Sequence, residues 1–280
     1  MPQTVLKLKP EQIDEFIEKF RRSVEIAQQN PTSQYEKLRG KIGKDTVIVY
    51  TTGKIIMPTN DIVQKVVRNI LRELSPEEFD IVIGSDEAGK GEWLGPLTVA
   101  AVALDRDVIP QLQLQGVMDS KLLSVERIRS LVNPINATAL GTKVLVVSPT
   151  RFNELFTIFR KEGKTLNDLL AWGHKTAIEM LLTEQVLEQK VKVVIDEFDR
   201  IKTSRELQKL KAFSKLTIIQ RPRAEELTSV AAASVLARAA REEWIDNENR
   251  KLKTDLRVLS EEEVRLFPNV NEIAKIDYIH

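Results

Sequence analysis

Apolar and polar residues alternate in two different ways along this chain, and the change falls near residue 79. In the first stretch, residues 5–8 read as a short strand. Apolar positions at helical spacing behind Pro10 then predict a helix over residues 10–25, with Ile13, Phe16, Ile17, Phe20 and Val24 on its inner face. Asn30-Pro31-Thr32-Ser33 breaks that pattern. Residues 38–42, 45–51 and 54–57 predict three strands, the last two joined by a tight turn at Thr51-Thr52-Gly53. Asn60 is placed to cap a second helix over residues 61–74, with Ile62, Val66, Val67, Ile70 and Leu71 inward. Such an order packs naturally as a small antiparallel sheet backed by two helices.

Ser75-Pro76-Glu77-Glu78 is polar and turn-forming, so we place a domain boundary there, between residues 1–74 and 79–280. Beyond it the apolar residues form runs. Residues 81–83 make a short β-branched run bounded by Gly84. Residues 97–104 make a longer one, as expected of a strand buried on both faces. Ser124 caps a predicted helix that ends at Val132, and residues 143–147 follow as a third buried strand. Helices are expected over 151–160 and, as one long element, over 166–187. Strands are expected at 191–195, stopping at Asp196, and at 216–219. An Ala-rich helix over 227–245 closes the pattern. Strands alternating with helices predict an α/β domain with a mixed central sheet.

Composition narrows the chemistry. The 280 residues are 42% hydrophobic and 30% charged, which suits a globular protein with a sizeable core. With no cysteine, disulfides and thiolate metal sites are excluded, and a zinc site would have to rest on only two histidines and carboxylates. No apolar run reaches signal-peptide or membrane-span length, so the expected setting is cytoplasmic, with no membrane partner. The net charge of +1 gives no global sign of a polyanionic partner, so any basic surface must be local. Residues 1–74 hold 13 basic against 9 acidic side chains, a mild local excess.

The candidate chemistry centres on residues 81–104, IVIGSDEAGKGEWLGPLTVAAVAL. Asp86 and Glu87 are adjacent carboxylates at the end of a buried strand, where each favours solvent, a proton or a cation. A hard divalent ion such as Mg²⁺ would relieve their repulsion with oxygen ligands. Gly89-Lys90-Gly91 adds a permissive backbone, free N–H groups and one positive charge, which suit a nearby phosphate. The same residues also suit an ordinary hairpin turn. In an α/β sheet, ligands gather at the carboxyl ends of strands. Asp196 ends one strand, and Glu225 and Glu226 follow another, so three segments can bring acids to one sheet edge. Two divalent ions about 3.5–4 Å apart could then activate water and stabilise an oxygen leaving phosphorus. Taken singly, Asp196 also suits a strand-end turn, and the two glutamates suit the first turn of a helix. His174 reads as a satisfied core or boundary histidine, and His280 as a frayed terminus. Asp119-Ser120-Lys121 is placed to cap the next helix and brace the acidic edge. Ser234 lacks a His-Asp pattern for a nucleophile, and Gly89-Lys90-Gly91 lacks the ending of a Walker loop.

The blocks SDEAGKGEWLGPLTVAA, MDSKLL, VVIDEF and AEELTSVAAASVLAR, in this order, resemble the type 2 ribonucleases H, which comprise ribonucleases HII and HIII. The resemblance covers essentially all of residues 79–280 and implies a ribonuclease H-like fold. YEKLRGKIGKDTVIVYTTGKIIMPTND resembles the TATA-binding-protein-like domain of the HIII branch, and a glutamate as fourth acid points the same way. The family implies endonucleolytic cleavage of RNA paired with DNA, leaving 5′-phosphate and 3′-hydroxyl ends, with Mg²⁺ or Mn²⁺ as cofactor. It assigns metal ligation and catalysis to Asp86, Glu87, Asp196 and Glu225. It assigns contact with the scissile-phosphate backbone and a ribose 2′-OH to Gly89, Lys90 and Gly91. Glu225 is preferred to Glu226 because it follows Ala224 in the family-like position; helical neighbours face about 100° apart, so only one should ligate. The expected partner is an RNA/DNA hybrid, bound by a monomer and gripped by the N-terminal domain. Two alternatives are HII-like cleavage beside single ribonucleotides in duplex DNA and a hybrid-binding protein without catalysis.

Overall fold

The computed structural model describes residues 3–23, 26–74, 79–118, 120–210 and 213–279. Two compact units result, Met1–Glu78 with Asp107–Val117, and Phe79–Arg106 with Met118–His280. The expected boundary at Ser75-Pro76-Glu77-Glu78, along with Val24, Glu25, Asp119 and His280, lies outside the described residues.

The first unit contains β1 (Gln3–Lys7), α1 (Ile13–Arg22), β2 (Ile26–Gln29), β3 (Glu36–Ile42), β4 (Asp45–Tyr50), β5 (Lys54–Pro58) and α2 (Asp61–Leu74). Its sheet is antiparallel throughout, in the order β1-β5-β4-β3-β2. Alternate residues bury one face of β3, and Ile13, Phe16, Ile17 and Phe20 of α1 complete the core beneath it. The Asn60 cap forms, its Oδ1 accepting the Val63 N–H at 2.9 Å. Three expectations are corrected. The first helix ends at Arg22, where Ser23 turns extended, and the chain resumes as the unforeseen β2. Ile62 is 71% exposed and Val63 takes its place in the stripe. Residues 107–117, placed within the second domain by the expected boundary, fall in the first unit; they hold an unforeseen helix, α3 (Ile109–Leu114), whose Leu114 joins that core.

The second unit is built on β6 (Ile81–Ala88), β7 (Leu97–Asp105), β8 (Gly141–Val147), β9 (Val191–Asp196) and β10 (Leu216–Arg221). Between and after them run α4 (Val125–Thr138), α5 (Pro149–Lys161), α6 (Leu166–Glu179), α7 (Glu184–Leu187), α8 (Arg200–Leu207), α9 (Thr228–Leu252), α10 (Glu261–Arg265) and α11 (Val270–Ile273). The sheet order is β10-β9-β6-β7-β8. β10, β9 and β6 run parallel, while β7 and β8 are antiparallel to their neighbours. The fold is therefore mixed α/β, with β7 buried along its length except at Asp105.

Here too the elements depart from expectation in ways that have physical causes. Gly84 does not end β6. A Cβ built there would lie 2.2 Å from the Ser229 backbone of α9, so this glycine admits the helix against the strand. β8 is an edge strand, with Val146 44% exposed, and is not buried. The long helix expected over 166–187 divides into α6 and a separate turn, α7, capped by Thr183. Conversely, α4 runs past its expected end through Pro134, where buried Ile135 keeps the helix packed. α8 was not foreseen.

Candidate active site

Because β6 continues to Ala88, Asp86 and Glu87 lie within the strand and follow its alternation. Gly84 and Asp86 face α9, while Ser85 and Glu87 face α6. Neighbouring carboxylates thus enter two different environments. Asp86 hydrogen-bonds the Ser234 side chain of α9. Ser234 Oγ in turn lies 2.7 Å from Ser120 Oγ, whose carbonyl oxygen accepts from Arg238. Burial, followed by the charge of Glu87, pushes the Asp86 carboxyl up to about 8; Ser234 and the positive charge of Lys121 pull less strongly the other way.

Glu87 moves in the opposite sense. Burial alone would raise it, but the His174 hydrogen bond and charge, with Lys90 and Lys121, hold it below the usual carboxylate range. His174 is fully buried, with Nε2 3.1 Å from Glu87 Oε2 and Nδ1 2.8 Å from Ser85 Oγ. Ser85 Oγ also donates to the Ala100 carbonyl at 2.8 Å, which anchors the ring to β7. The imidazole stacks on Phe198 at 5.4 Å, and Lys90 Nζ lies 5.0 Å above that same ring and 3.7 Å from Glu87.

The other acids arrive from neighbouring parallel strands. The β6–β9 ladder ends at Ser85 and Ile195, so Asp86 and Asp196 are the next residues on adjacent strands. Asp196 Oδ1 accepts the Ala224 N–H at 3.0 Å, fastening the turn after β10 to the end of β9. Arg223 sets that turn in a left-handed conformation, φ 57°. Glu225 is half-buried and, among the described residues, makes no side-chain hydrogen bond or ion pair. Glu226 is exposed and pairs with Arg221 at 3.5 Å.

After β6 the chain turns through Gly89 and Gly91, with φ of 84° and 73°, conformations that favour glycine. At Gly89 a Cβ would also lie 2.3 Å from the Pro96 carbonyl oxygen, so the two arms of the loop are in contact there.

The four acids thus sit at the carboxyl edge of three adjacent strands, yet they are not closed into a cage. Among the described residues, no three His, Asp or Glu side chains converge closely enough to hold a metal. Asp86, Glu87 and Asp196 are each engaged by a protein partner instead. The donor set still fits a hard divalent cation: oxygen ligands, one carboxyl whose proton a cation would displace, and one half-buried carboxylate without a partner among the described residues. Ser85, and His174 as a partner of Glu87, were missed in the sequence. The period-two register that puts Ser85 on the face of Glu87 was the available signal.

Known proteins resemble the chain in both sequence and fold. The family profile described as Ribonuclease HII matches residues 83–260. Ribonuclease HIII of Protochlamydia amoebophila is 37% identical over 174 residues, covering 62% of this chain and 55% of that protein. Ribonuclease HIII of Chlamydia caviae is 32% identical over 220 residues, covering 74% of this chain and 70% of the relative. The chain therefore spans about half the length of some relatives it matches, 55% in the first case. The solved structure of Bst-RNase HIII in complex with Mn²⁺ has a TM-score of 0.62, covering 99% of this chain and 96% of that one. At 21% identity this is a likeness of fold.

Proposed function

Because the chain belongs to the family of ribonucleases HII and HIII, we propose that it cleaves the RNA strand of RNA/DNA hybrids endonucleolytically. The products would carry 5′-phosphate and 3′-hydroxyl ends. The observation that carries this reading is the set of adjacent parallel strand ends bearing Asp86, Glu87 and Asp196, with Glu225 on the turn fastened to Asp196.

Asp86, Glu87, Asp196 and Glu225 would hold Mg²⁺ or Mn²⁺. Bound there, such cations supply activation of water and stabilisation of the leaving oxygen. The protein's own groups do the rest. His174 and Lys90 keep Glu87 ionised and oriented. Ser234 orients Asp86. The Gly89-Lys90-Gly91 backbone, without side chains at two of its three positions, can approach a phosphate and a ribose 2′-OH closely, the group that tells RNA from DNA. In the first unit, Lys7 and Lys54 are cross-strand partners on the sheet face away from the buried side chains, and Lys41 shares that face. These lysines suit a nucleic-acid backbone recognised by shape and charge.

The test is Asp86→Asn assayed on an RNA/DNA hybrid with Mg²⁺ and then Mn²⁺. Cleavage should be abolished while hybrid binding persists; full activity in the variant overturns the reading. A wild-type protein that retains hybrid without cutting it would be a binding protein. One that cuts only a duplex with a single embedded ribonucleotide would belong with the HII-like alternative.

A further inference from the structure

The strongest unexplained feature of the second unit is a lysine with no exposed surface. Lys275 is fully buried, its Nζ donating to the Gly95 carbonyl at 2.7 Å and lying 5.8 Å from the centre of the Phe152 ring. Burial, then the charge of Arg241, brings its ammonium down to about 7, opposed by Glu92. A cation in such a place is costly unless it is hydrogen-bonded and paired, so its contacts bear on what it does there.

The surrounding contacts show what it holds. Leu94 and Ala274 form an antiparallel bridge. On either side of it, Gly95 N–H donates to the Ile273 carbonyl at 2.9 Å and Lys275 N–H to the Trp93 carbonyl at 2.8 Å. Three hydrogen bonds from the C-terminal segment therefore fall on residues 93–95. The segment is secured from behind by Asn153 of α5, whose Nδ2 donates to the Ala274 carbonyl at 3.0 Å and whose Oδ1 accepts the Ile276 N–H at 3.1 Å. From α9, Arg241 donates to the Leu94 carbonyl at 3.2 Å and pairs with Glu92. At the other end of the loop, Ala88 is fixed in β6.

We propose that Lys275 is a positioning residue: it and residues 273–276 form a clasp that holds residues 93–95 and so sets the shape of the Gly89-Lys90-Gly91 loop. The inference rests on the reading above that this loop meets the substrate backbone. With both ends pinned, the glycines have few conformations left to lose on binding, so the clasp acts on substrate affinity through preorganisation. It touches none of the four acids, so the chemical step is left alone.

The test uses the full chain, as wild type, Lys275→Met and Asn153→Ala. Hydrogen–deuterium exchange over residues 88–97 should speed up by about tenfold in both variants, with β9 unchanged. On an RNA/DNA hybrid, KM should rise by about fivefold, with kcat within about twofold of wild type. Exchange that stays the same, or rises evenly through the second unit, overturns the clasp, as does a lower kcat at unchanged KM. If Lys275→Met fails to fold, Asn153→Ala decides, because it loosens the segment and leaves the buried amine in place. If the wild-type protein cleaves no hybrid, the functional reading fails, and exchange alone judges the clasp.

Discussion

Asp86 and Glu87 are joined by one peptide bond, yet they occupy different chemical worlds. The first faces a helix that offers it a serine, and its carboxyl is pushed up to about 8. The second faces a helix that offers a buried histidine, and its carboxyl is held down. The alternation of β6 makes this possible: a strand sends consecutive side chains to opposite faces, so two adjacent, half-buried acids can each take a separate partner. One stays charged and the other keeps its proton until a cation displaces it. On a helix the same pair would share one environment far more closely, and their repulsion would have no comparable outlet.

Glu87→Gln and Asp86→Asn should therefore agree in activity and disagree in stability. Both should lose hybrid cleavage by orders of magnitude. In chelator, without divalent metal, their unfolding curves should part. Unfolded Asp86 loses its proton near about 3.9 and the folded residue only near about 8. Between those values the unfolded state binds fewer protons, so wild-type stability falls as pH rises. Asp86→Asn should lack this fall and be the more stable protein at pH 8. Glu87 has the opposite sign. Its contribution is complete above the unfolded carboxylate value and is lost as pH falls through the depressed folded one, so Glu87→Gln should be less stable at neutral pH by about 1.5–3 kcal/mol. Denaturant melts of both variants across pH check this, and parallel pH profiles would show that the two faces are not distinct. A smaller effect is expected of His174→Ala, which removes the group orienting Glu87. Activity at limiting Mg²⁺ should fall by about 10–100-fold, with partial recovery at high metal. A loss that excess metal does not relieve would make the histidine more than an orienting group.

How much of this could be read in the chain depends on burial. β7 and β9 are covered on both faces, so their apolar runs announced them, and the position of Asp196 at a strand end came with the second. β2 and α8 sit where little is covered, and nothing in their residues forced a choice, while β8 announced itself as a strand but not as an exposed edge. Gly84 was misread for another reason. A glycine after a β-branched run marks an end or a close approach with equal economy, and only the packing of Ser229 distinguishes them. The same limit hid His174. Its helical setting was legible, but its bond to Glu87 joins residues 87 positions apart, and local periodicity carries no such information.

The serine side of the pair gives the smallest effect and the finest discrimination. Ser234 favours the ionised form of Asp86 by hydrogen bonding, against burial and Glu87. Ser234→Ala removes that bond, so the carboxyl should titrate still higher in the absence of metal. A cation must then displace a more firmly held proton, and the half-saturating Mg²⁺ concentration should rise at neutral pH. A bond of this kind is worth about 1 kcal/mol, so the rise should be about fivefold. It should shrink as pH increases, because a carboxyl already deprotonated gives the cation nothing to displace. Metal titrations of cleavage at two pH values measure both quantities. A rise that is the same at each pH would mean that Ser234 acts only by holding Asp86 in place, through Ser120 and Arg238, rather than by governing its charge.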